Sequence, residues 1–159
     1  MNNEINKNFN IKFRDLIHTH QKALIVDFGE IKALLNEGAD INNLDDVGRT
    51  WMHKTARIFK LDFILFVYNN GGNVNDVDEF GRSPLHEACA VNNPIVVDFL
   101  MDKDADSTIE TFGNKQRAIH YAAKFDACDA VRVLVKHNVN FNSSFDYKHR
   151  TAIHLSAEL

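Results

Sequence analysis

The sequence repeats itself at an interval of about 33 residues, and this period constrains its fold more than any other feature. Residues 48–53 (GRTWMH) align with residues 81–86 (GRSPLH) at an offset of 33 residues. The next two histidines of the series, His120 and His154, follow at intervals of 34 residues each. A fixed period of this length is typical of repeat architectures, so we expect each period to be one structural unit that packs on its neighbours.

Apolar residues hold the same register within each unit. In the third unit Val97, Leu100 and Met101 have the i, i+3, i+4 spacing of one helix face, and apolar residues occupy the equivalent positions of three other units. A unit of this size cannot bury such a stripe alone, so the units must stack to form a core. The predicted fold is therefore all-α, an elongated solenoid of helix-turn-helix units.

Helix starts are also visible in the third unit. Ser83-Pro84 is typical of an N-cap followed by a first helical residue, and it predicts a helix to about Val91. Asn93-Pro94 predicts a second helix to about residue 102 in the same way. The segments between units, such as 76–81, are rich in Asp and Gly and lack helical periodicity, so we expect β-hairpin-like loops there.

These repeated segments resemble the ankyrin repeat family, whose unit is similar to DxxGxTPLHxAAxxGxxxxVxxLLxxGADxN. The segment DEFGRSPLHEACAVNNPIVVDFLMDKDAD at 78–106 and the segment IKALLNEGADIN at 31–42 carry the resemblance. It implies about four repeats and a truncated fifth. We expect a loose polar leader at 1–10, an N-terminal capping repeat at 11–43, repeats at 44–76, 77–109 and 110–143, and the start of a truncated repeat at 144–159. Since the fifth unit stops early, we expect the chain to be a piece of a longer ankyrin protein.

The repeated histidines are the first candidates for a chemical site. Ligands of one zinc ion lie about 2.0 to 2.3 Å from it, whereas equivalent positions of packed helices are roughly 8 to 10 Å apart. His53, His86, His120 and His154 therefore cannot share a metal. We assign them a structural role, in which each imidazole hydrogen-bonds the start of its helix and the loop backbone, and the resemblance implies the same role.

Other chemical motifs are incomplete. Residues 76–87 approach the spacing of an EF-hand calcium loop, but Phe80 offers no side-chain oxygen at its fifth position. Cys89 and Cys128 occupy different places in their repeats, and nothing beyond their residue types supports a nucleophilic role. We expect no catalytic residue, cofactor or metal, and we interpret the chain as non-enzymatic.

Composition narrows the possible partners and the compartment. The net charge is −4 and no run of Lys or Arg is present, which argues against nucleic-acid binding. The most apolar stretch, residues 61–68, is far shorter than the roughly 20 residues that span a bilayer, so we expect no membrane insertion of this segment. Two cysteines are too few for a disulfide framework, and we expect a cytoplasmic or otherwise intracellular protein.

The resemblance implies that a partner protein binds the hairpin tips and the exposed, concave side of the first helices. The expected binding residues are Asp46, Val47, Arg49, Glu79, Phe80, Arg82, Phe112, Asn114, Lys115 and Tyr147 in the tips, and Arg57, Ile58, Val91, Lys124 and Phe125 in the first helices. Aromatic anchors are enriched at interface hot spots, so Phe80, Phe112 and Phe125 are the strongest candidates. In the alternative interpretation, the hairpin phenylalanines stack on one another and stabilise the edge with nothing bound.

The leading functional prediction is an ankyrin scaffold or adaptor that binds another protein. Two alternatives remain open at the level of sequence. The chain could be the cytoplasmic ankyrin array of a larger membrane channel, or the substrate-binding segment of a larger enzyme or microbial effector.

Overall fold

The computed structural model describes residues 2–20 and 26–140, and every regular element in these ranges is an α-helix. The elements are α1 (Asn2–His20), α2 (Gly29–Asn36), α3 (Trp51–Ala56), α4 (Leu61–Asn69), α5 (Pro84–Ala90), α6 (Pro94–Asp102), α7 (Ala118–Lys124) and α8 (Cys128–Lys136). This confirms the predicted all-α class for the described ranges. The expected truncated repeat at 144–159, with Tyr147 and His154, lies outside the described residues.

The helices pack as pairs and as two rows. Each first helix lies against the second helix of its own unit, so α1 packs on α2, α3 on α4, α5 on α6 and α7 on α8. The first helices α3, α5 and α7 pack side by side, and α4, α6 and α8 form the second row. Elements that are neighbours in the repeat pattern are therefore neighbours in space.

Helix α6 illustrates how the local sequence fixes both a helix start and a contact between units. Asn93 is its N-cap, and the Asn93 Oδ1 accepts a hydrogen bond from Val96 N at 3.4 Å. The Asn93 Nδ2 donates to the carbonyl oxygens of Ala56 and Ile58, at 3.3 and 2.9 Å. Asn93 is fully buried. It caps the start of α6 and also supplies a hydrogen-bond donor to free carbonyl oxygens at the end of α3 in the preceding unit.

Small residues allow the first helices to approach closely. Ala56, Cys89 and Ala123 occupy the same position of their units, and all three are buried. Burial raises the pKa of the Cys89 thiol, so this side chain is neutral at physiological pH and serves in packing.

The expectation of a loose leader at residues 1–10 is wrong, because residues 2–10 belong to helix α1. The helix runs from Asn2 to His20 without a break at residue 10. Phe9 and Phe13 are fully buried, and their rings lie 6.4 and 4.5 Å from the Trp51 ring between centroids. Phe9, Phe13 and Ile17 form an i, i+4, i+8 stripe that the Asn-rich composition concealed.

Helix α1 also takes part in the hydrogen bonds that join one unit to the next. The Asn75 Oδ1 accepts from Asp106 N at 2.8 Å, 31 residues further along the chain. The Asn6 Oδ1 accepts from Asp40 N at 2.8 Å in the same manner. In the first unit, Asn6 on helix α1 therefore makes the hydrogen bond that the loop residue Asn75 makes later in the chain.

We expect Phe9→Ala to lower the free energy of unfolding by about 3 to 5 kcal/mol, because it removes a buried ring from the contact between α1 and Trp51. Ile11→Ala, on the same helix but 41% exposed, is the matched control and should cost less than about 1 kcal/mol. Urea denaturation of the full chain measures both. Equal, small losses would show that residues 2–10 contribute nothing to the fold.

Candidate functional site

His86 joins the start of its own helix to the next unit. Its Nδ1 accepts from Ser83 N at 3.1 Å and lies 2.9 Å from the Ser83 hydroxyl, and its Nε2 lies 3.0 Å from the Gln116 carbonyl oxygen. A backbone N–H can only donate and a carbonyl can only accept, so the ring is neutral with its proton on Nε2. Burial lowers the pKa of His86 to about 4, which keeps this form at neutral pH.

The same bridge recurs one unit earlier. The His53 Nδ1 accepts from Thr50 N at 3.2 Å, its Nε2 donates to the Arg82 carbonyl at 2.9 Å, and burial lowers the pKa of His53. The His120 Nδ1 accepts from Arg117 N at 3.0 Å. In these units the imidazoles fix the first helices relative to the loops beside them.

One acidic side chain organises each of the hairpin loops at 45–49 and 78–82, whereas in the third hairpin the Thr111 hydroxyl accepts from Gln116 N at 3.0 Å. The Asp78 Oδ1 accepts from Phe80 N and Arg82 N, both at 2.9 Å, and its Oδ2 accepts from the Arg82 Nε at 2.7 Å. Asp78 N donates to the Arg82 carbonyl at 3.0 Å and closes the loop. Both oxygens of this buried carboxylate, which the calcium-loop pattern includes, are thus engaged inside the loop.

Asp45 repeats this arrangement in the preceding loop. Its Oδ1 accepts from Val47 N at 3.2 Å and Arg49 N at 2.9 Å, and its Oδ2 accepts from the Arg49 Nε at 3.1 Å. Burial raises the pKa of Asp45, but the hydrogen bonds from Arg49 and Val47 and the Lys54 charge outweigh it and lower the value to about 2. The carboxylate is charged at physiological pH and points its charge into the loop.

Successive loops are joined tip to tip. Glu79 N donates to the Val47 carbonyl at 3.2 Å, and Phe112 N donates to the Phe80 carbonyl at 2.8 Å. These bonds connect the three described hairpins into one edge, although none of them extends into a strand within residues 26–140. The position of each tip is therefore fixed by its neighbour.

The three predicted aromatic anchors are on the surface. Phe80, Phe112 and Phe125 are 54%, 66% and 50% exposed. The ring contacts of the described residues do not include one between Phe80 and Phe112; instead, the Arg82 guanidinium lies 4.9 Å from the centre of the Phe80 ring. The rings of Phe80 and Phe112 therefore do not stack on each other, as the alternative interpretation had expected.

The other predicted binding residues divide by exposure. The exposed ones are Asp46, Arg57, Glu79, Asn114, Lys115 and Lys124, and the half-buried ones are Val47, Arg49, Ile58, Arg82 and Val91. The last of the set, Tyr147, is outside the described residues. The structure brings the tip residues of adjacent units together along the edge, and the first-helix residues lie at the C-terminal ends of α3, α5 and α7.

Sequence reasoning missed Glu87, a helical glutamate that looks solvated in the sequence. Its side chain is only 4% exposed, and its Oε2 accepts from the Arg57 NH1 at 2.6 Å. The Arg82 NH1 lies 3.3 Å from Oε1, close enough for an ion pair but without hydrogen-bond geometry, so Oε1 has no hydrogen bond. The sequence contained one signal for this burial, since Arg57 one unit earlier and Arg82 in the loop before α5 can both pair with Glu87.

A groove beside these residues was also missed. It lies between α1, the loop 44–49 and α3, and its volume is about 670 Å³. Among its lining residues are Ile11 and Arg14 from α1, Leu44 from the loop, and Arg57 and Ile58 from the end of α3. The expectation of a loose leader hid the contribution of α1.

A separate cluster on α6 and α8 has the residue types of a metal site. The His137 Nε2 lies 2.6 Å from the Asp98 Oδ1 and 3.9 Å from the Asp102 Oδ1. The Lys136 Nζ lies 2.9 Å from the same Asp98 oxygen, and hydrogen bonds from His137 and Lys136 lower the pKa of Asp98. The Lys136 ammonium already neutralises the carboxylate that a cation would need, so Asp98, Lys136 and His137 form a hydrogen-bonded network as they stand.

Comparison with known protein families shows to which family the chain belongs. A family model described as ankyrin repeats, with three copies, matches residues 23–111, more than half of the sequence. The chain belongs to the ankyrin repeat family. Ankyrin repeats are generally protein–protein interaction modules and are typically non-enzymatic. No individual curated protein matches this ankyrin chain. Among the described residues, no helix is both long enough and apolar enough to span a membrane.

We expect the ankyrin chain to lose stability in acid partly through His86. Its pKa falls from about 6.5 in an unfolded chain to about 4 in the folded chain, so its contribution is complete above about pH 6.5 and is lost as the pH falls through 4. The loss is on the order of 3 kcal/mol. Urea denaturation between pH 7.5 and pH 4 should show a weaker pH dependence for His86→Gln; parallel curves for the two proteins would contradict the assignment.

Two glycines provide a matched test of the contact between hairpins. Gly81 and Gly113 have φ of +75° and +74°, so alanine is strained at both by roughly 1 to 2 kcal/mol. A Cβ at Gly81 would lie 2.8 Å from Phe112 N, whereas a Cβ at Gly113 would meet nothing within 4 Å. We expect Gly81→Ala to cost at least about 1 kcal/mol more than Gly113→Ala in urea denaturation. Equal costs would show that the tips are not packed together.

Proposed function

We propose that this chain is a non-enzymatic protein interaction module, an ankyrin scaffold or adaptor. It binds a partner protein through its hairpin tips and the concave face of its first helices. In this proposal the units form an elongated solenoid of about four repeats and the start of a fifth. The observation that carries it is the exposure of Phe80 and Phe112 on a hairpin edge whose backbone is fixed by hydrogen bonds.

The edge is suited to binding because it is already ordered. Asp78 bonds two backbone N–H groups of its own loop, and Phe112 N bonds the Phe80 carbonyl of the preceding tip. A partner that docks there does not have to order the loops, so less of the interaction free energy is lost as conformational entropy. The exposed rings add apolar area, and aromatic and Arg side chains are the types enriched at hot spots.

The ends of the first helices extend this surface. Ile58, Val91 and Phe125 occupy equivalent positions at the ends of α3, α5 and α7, where the first two are half-buried and the third is exposed. Arg57 and Lys124 precede two of these residues and are exposed. Apolar contacts bordered by cations favour a protein partner over a small neutral ligand.

The partner class and the compartment follow from the same surface and from the cysteines. The proposed partner is another protein, with no nucleic acid and no membrane insertion of this segment. Cys89 is a buried free thiol and Cys128 an exposed one. An exposed free thiol is best tolerated in a reducing environment, which supports a cytoplasmic or other intracellular location.

Replacement of Phe80 and Phe112 together by Ala tests the proposal. Partner proteins captured from cells by the tagged chain, and identified by mass spectrometry, should be reduced at least about tenfold, because two exposed anchors are lost. Ile95→Ala is the control, since Ile95 is equally exposed, at 54%, but lies on α6.

The melting temperature of each variant must be measured beside the capture. A double variant that melts like the original protein and still captures the same partners would contradict the proposed surface. A loss of capture that follows a fall in melting temperature would show that the rings stabilise the edge instead.

A further inference from the structure

We propose that the hairpin edge pairs with the same edge of a second copy of the chain, about a two-fold axis that passes between the hairpins 78–82 and 111–116. In such a pair each hairpin lies opposite the other hairpin of the second copy, so the two hairpins must be complementary to each other. The inference goes beyond the proposed function. Because self-association and partner binding use one edge, each excludes the other.

Each of the two hairpins presents one exposed aromatic ring. Phe80 and Phe112 are 54% and 66% exposed. Phe112 N donates to the Phe80 carbonyl at 2.8 Å, so the two residues lie on neighbouring tips whose separation is fixed. A two-fold axis between them places the Phe80 ring of one copy against the Phe112 ring of the other, twice. Apolar area that is exposed in the monomer is thereby buried at the centre of the contact.

Most charges of these hairpins are already neutralised by a neighbour. The Arg82 NH2 lies 2.6 Å from the Asp78 Oδ2 in the first hairpin. Beside the second hairpin, the Arg117 NH2 lies 3.0 Å from the Glu110 Oε1. These four groups contribute no net charge to the edge, so they do not decide which surface can dock there.

Glu79 and Lys115 carry the charges that remain. Both are exposed, and within residues 2–20 and 26–140 neither side chain forms an ion pair. Glu79 extends toward the preceding hairpin, since a Cβ at Gly48 would lie 3.1 Å from the Glu79 Cγ. After all ion pairs are removed, the hairpin of Phe80 thus has one negative charge and that of Phe112 one positive charge. The two-fold arrangement brings Glu79 near Lys115 of the second copy, whereas a parallel arrangement would bring like charges together.

The charges also place the axis between these two hairpins. The preceding hairpin, at 45–49, offers no such excess, because its acids lie beside an equal number of cations; the groups are Asp45, Asp46, Arg49 and Lys54. A docking surface for the other two hairpins must present a ring with an anion beside a ring with a cation, at the spacing of adjacent tips. The chain itself carries that surface, which is why a second copy fits it.

The contact is confined to the tips, so the dimer is weak. We expect a dissociation constant on the order of 100 μM, as in small transient interfaces. The net charge of −4 opposes association only slightly at physiological salt, because charges farther apart than about 8 Å are screened. The hairpins are already ordered by their own hydrogen bonds, so little conformational entropy is lost on pairing.

The test is sedimentation equilibrium of the full chain at concentrations up to about 1 mM, ten times the expected dissociation constant. The average mass should rise with concentration above the 18.1 kDa of one chain. Glu79→Lys and Lys115→Glu should each weaken self-association at least about fivefold, because each places like charges opposite one another. The double variant Glu79→Lys/Lys115→Glu has the original net charge and should return to within about twofold of the original protein.

An equimolar mixture of the two single variants gives a second rescue. One variant has two cations on these hairpins and the other has two anions, so a mixed pair is complementary at both contacts. The mixture should therefore associate at least about fivefold more strongly than either variant alone. Rescue by exchange or by mixing would not follow if a single substitution had simply damaged the fold.

Glu37→Lys is the matched control for net charge. Glu37 is exposed at the end of α2, away from the hairpin edge, and its replacement changes the net charge as Glu79→Lys does. It should alter self-association less than about twofold. Equal weakening by the two variants would reduce the effect to overall charge and overturn the inference.

The remaining outcomes separate this inference from the proposed function. A chain that stays monomeric at the highest concentration would overturn self-association, and capture of partner proteins that depends on Phe80 and Phe112 would still support the interaction module. Self-association that neither the double charge exchange nor the mixture restores would overturn the two-fold pairing. Restored dimers without any partner capture would support the inference and count against the proposed function.

Discussion

The rest of the structure depends on the hydrogen bond from a buried, neutral imidazole to the carbonyl of the following loop. Through it the position of a first helix determines the position of the next hairpin, as His86 and the Gln116 carbonyl show. The bond is effective because it is buried, where an unpaired donor or acceptor would be costly. Helix packing therefore sets the position of the hairpin edge, while Asp45 and Asp78 hold the backbone within their own loops. Phe80 and Phe112 take no part in these bonds through their side chains and are exposed.

Several acidic side chains also serve the internal order of the protein. Asp45, Asp78 and Glu87 are directed inward to order loops or arginines, so their charge is neutralised locally. The neutralisation is mutual, since Arg57 is paired with Glu87, Arg49 with Asp45 and Arg14 with Asp15.

Much of the fold could be predicted from the sequence because the repeat supplies several copies of each signal. The helix over 84–90 was predicted from Ser83-Pro84, and the one over 94–102 from Asn93-Pro94. Helix α1 occurs once, has no second copy for comparison and begins in an Asn-rich segment, so its buried face was overlooked. The burial of Glu87 was missed, because it depends on a pair with Arg57, which lies 30 residues earlier in the chain. The groove needs both, so it was missed, although its lining residues Arg49, Arg57 and Ile58 were among the predicted binding residues.

Helix α1, with 19 residues, has different roles on its two sides. Phe9 and Phe13 are fixed by the aromatic cluster around Trp51, and Asn6 is fixed by its bond to Asp40. Ile11 and Arg14 line the groove instead, and the ion pair of Arg14 with Asp15 is exposed. Substitutions on the outer side therefore cost little stability, so the exposed face of α1 can change in sequence while its buried face is retained.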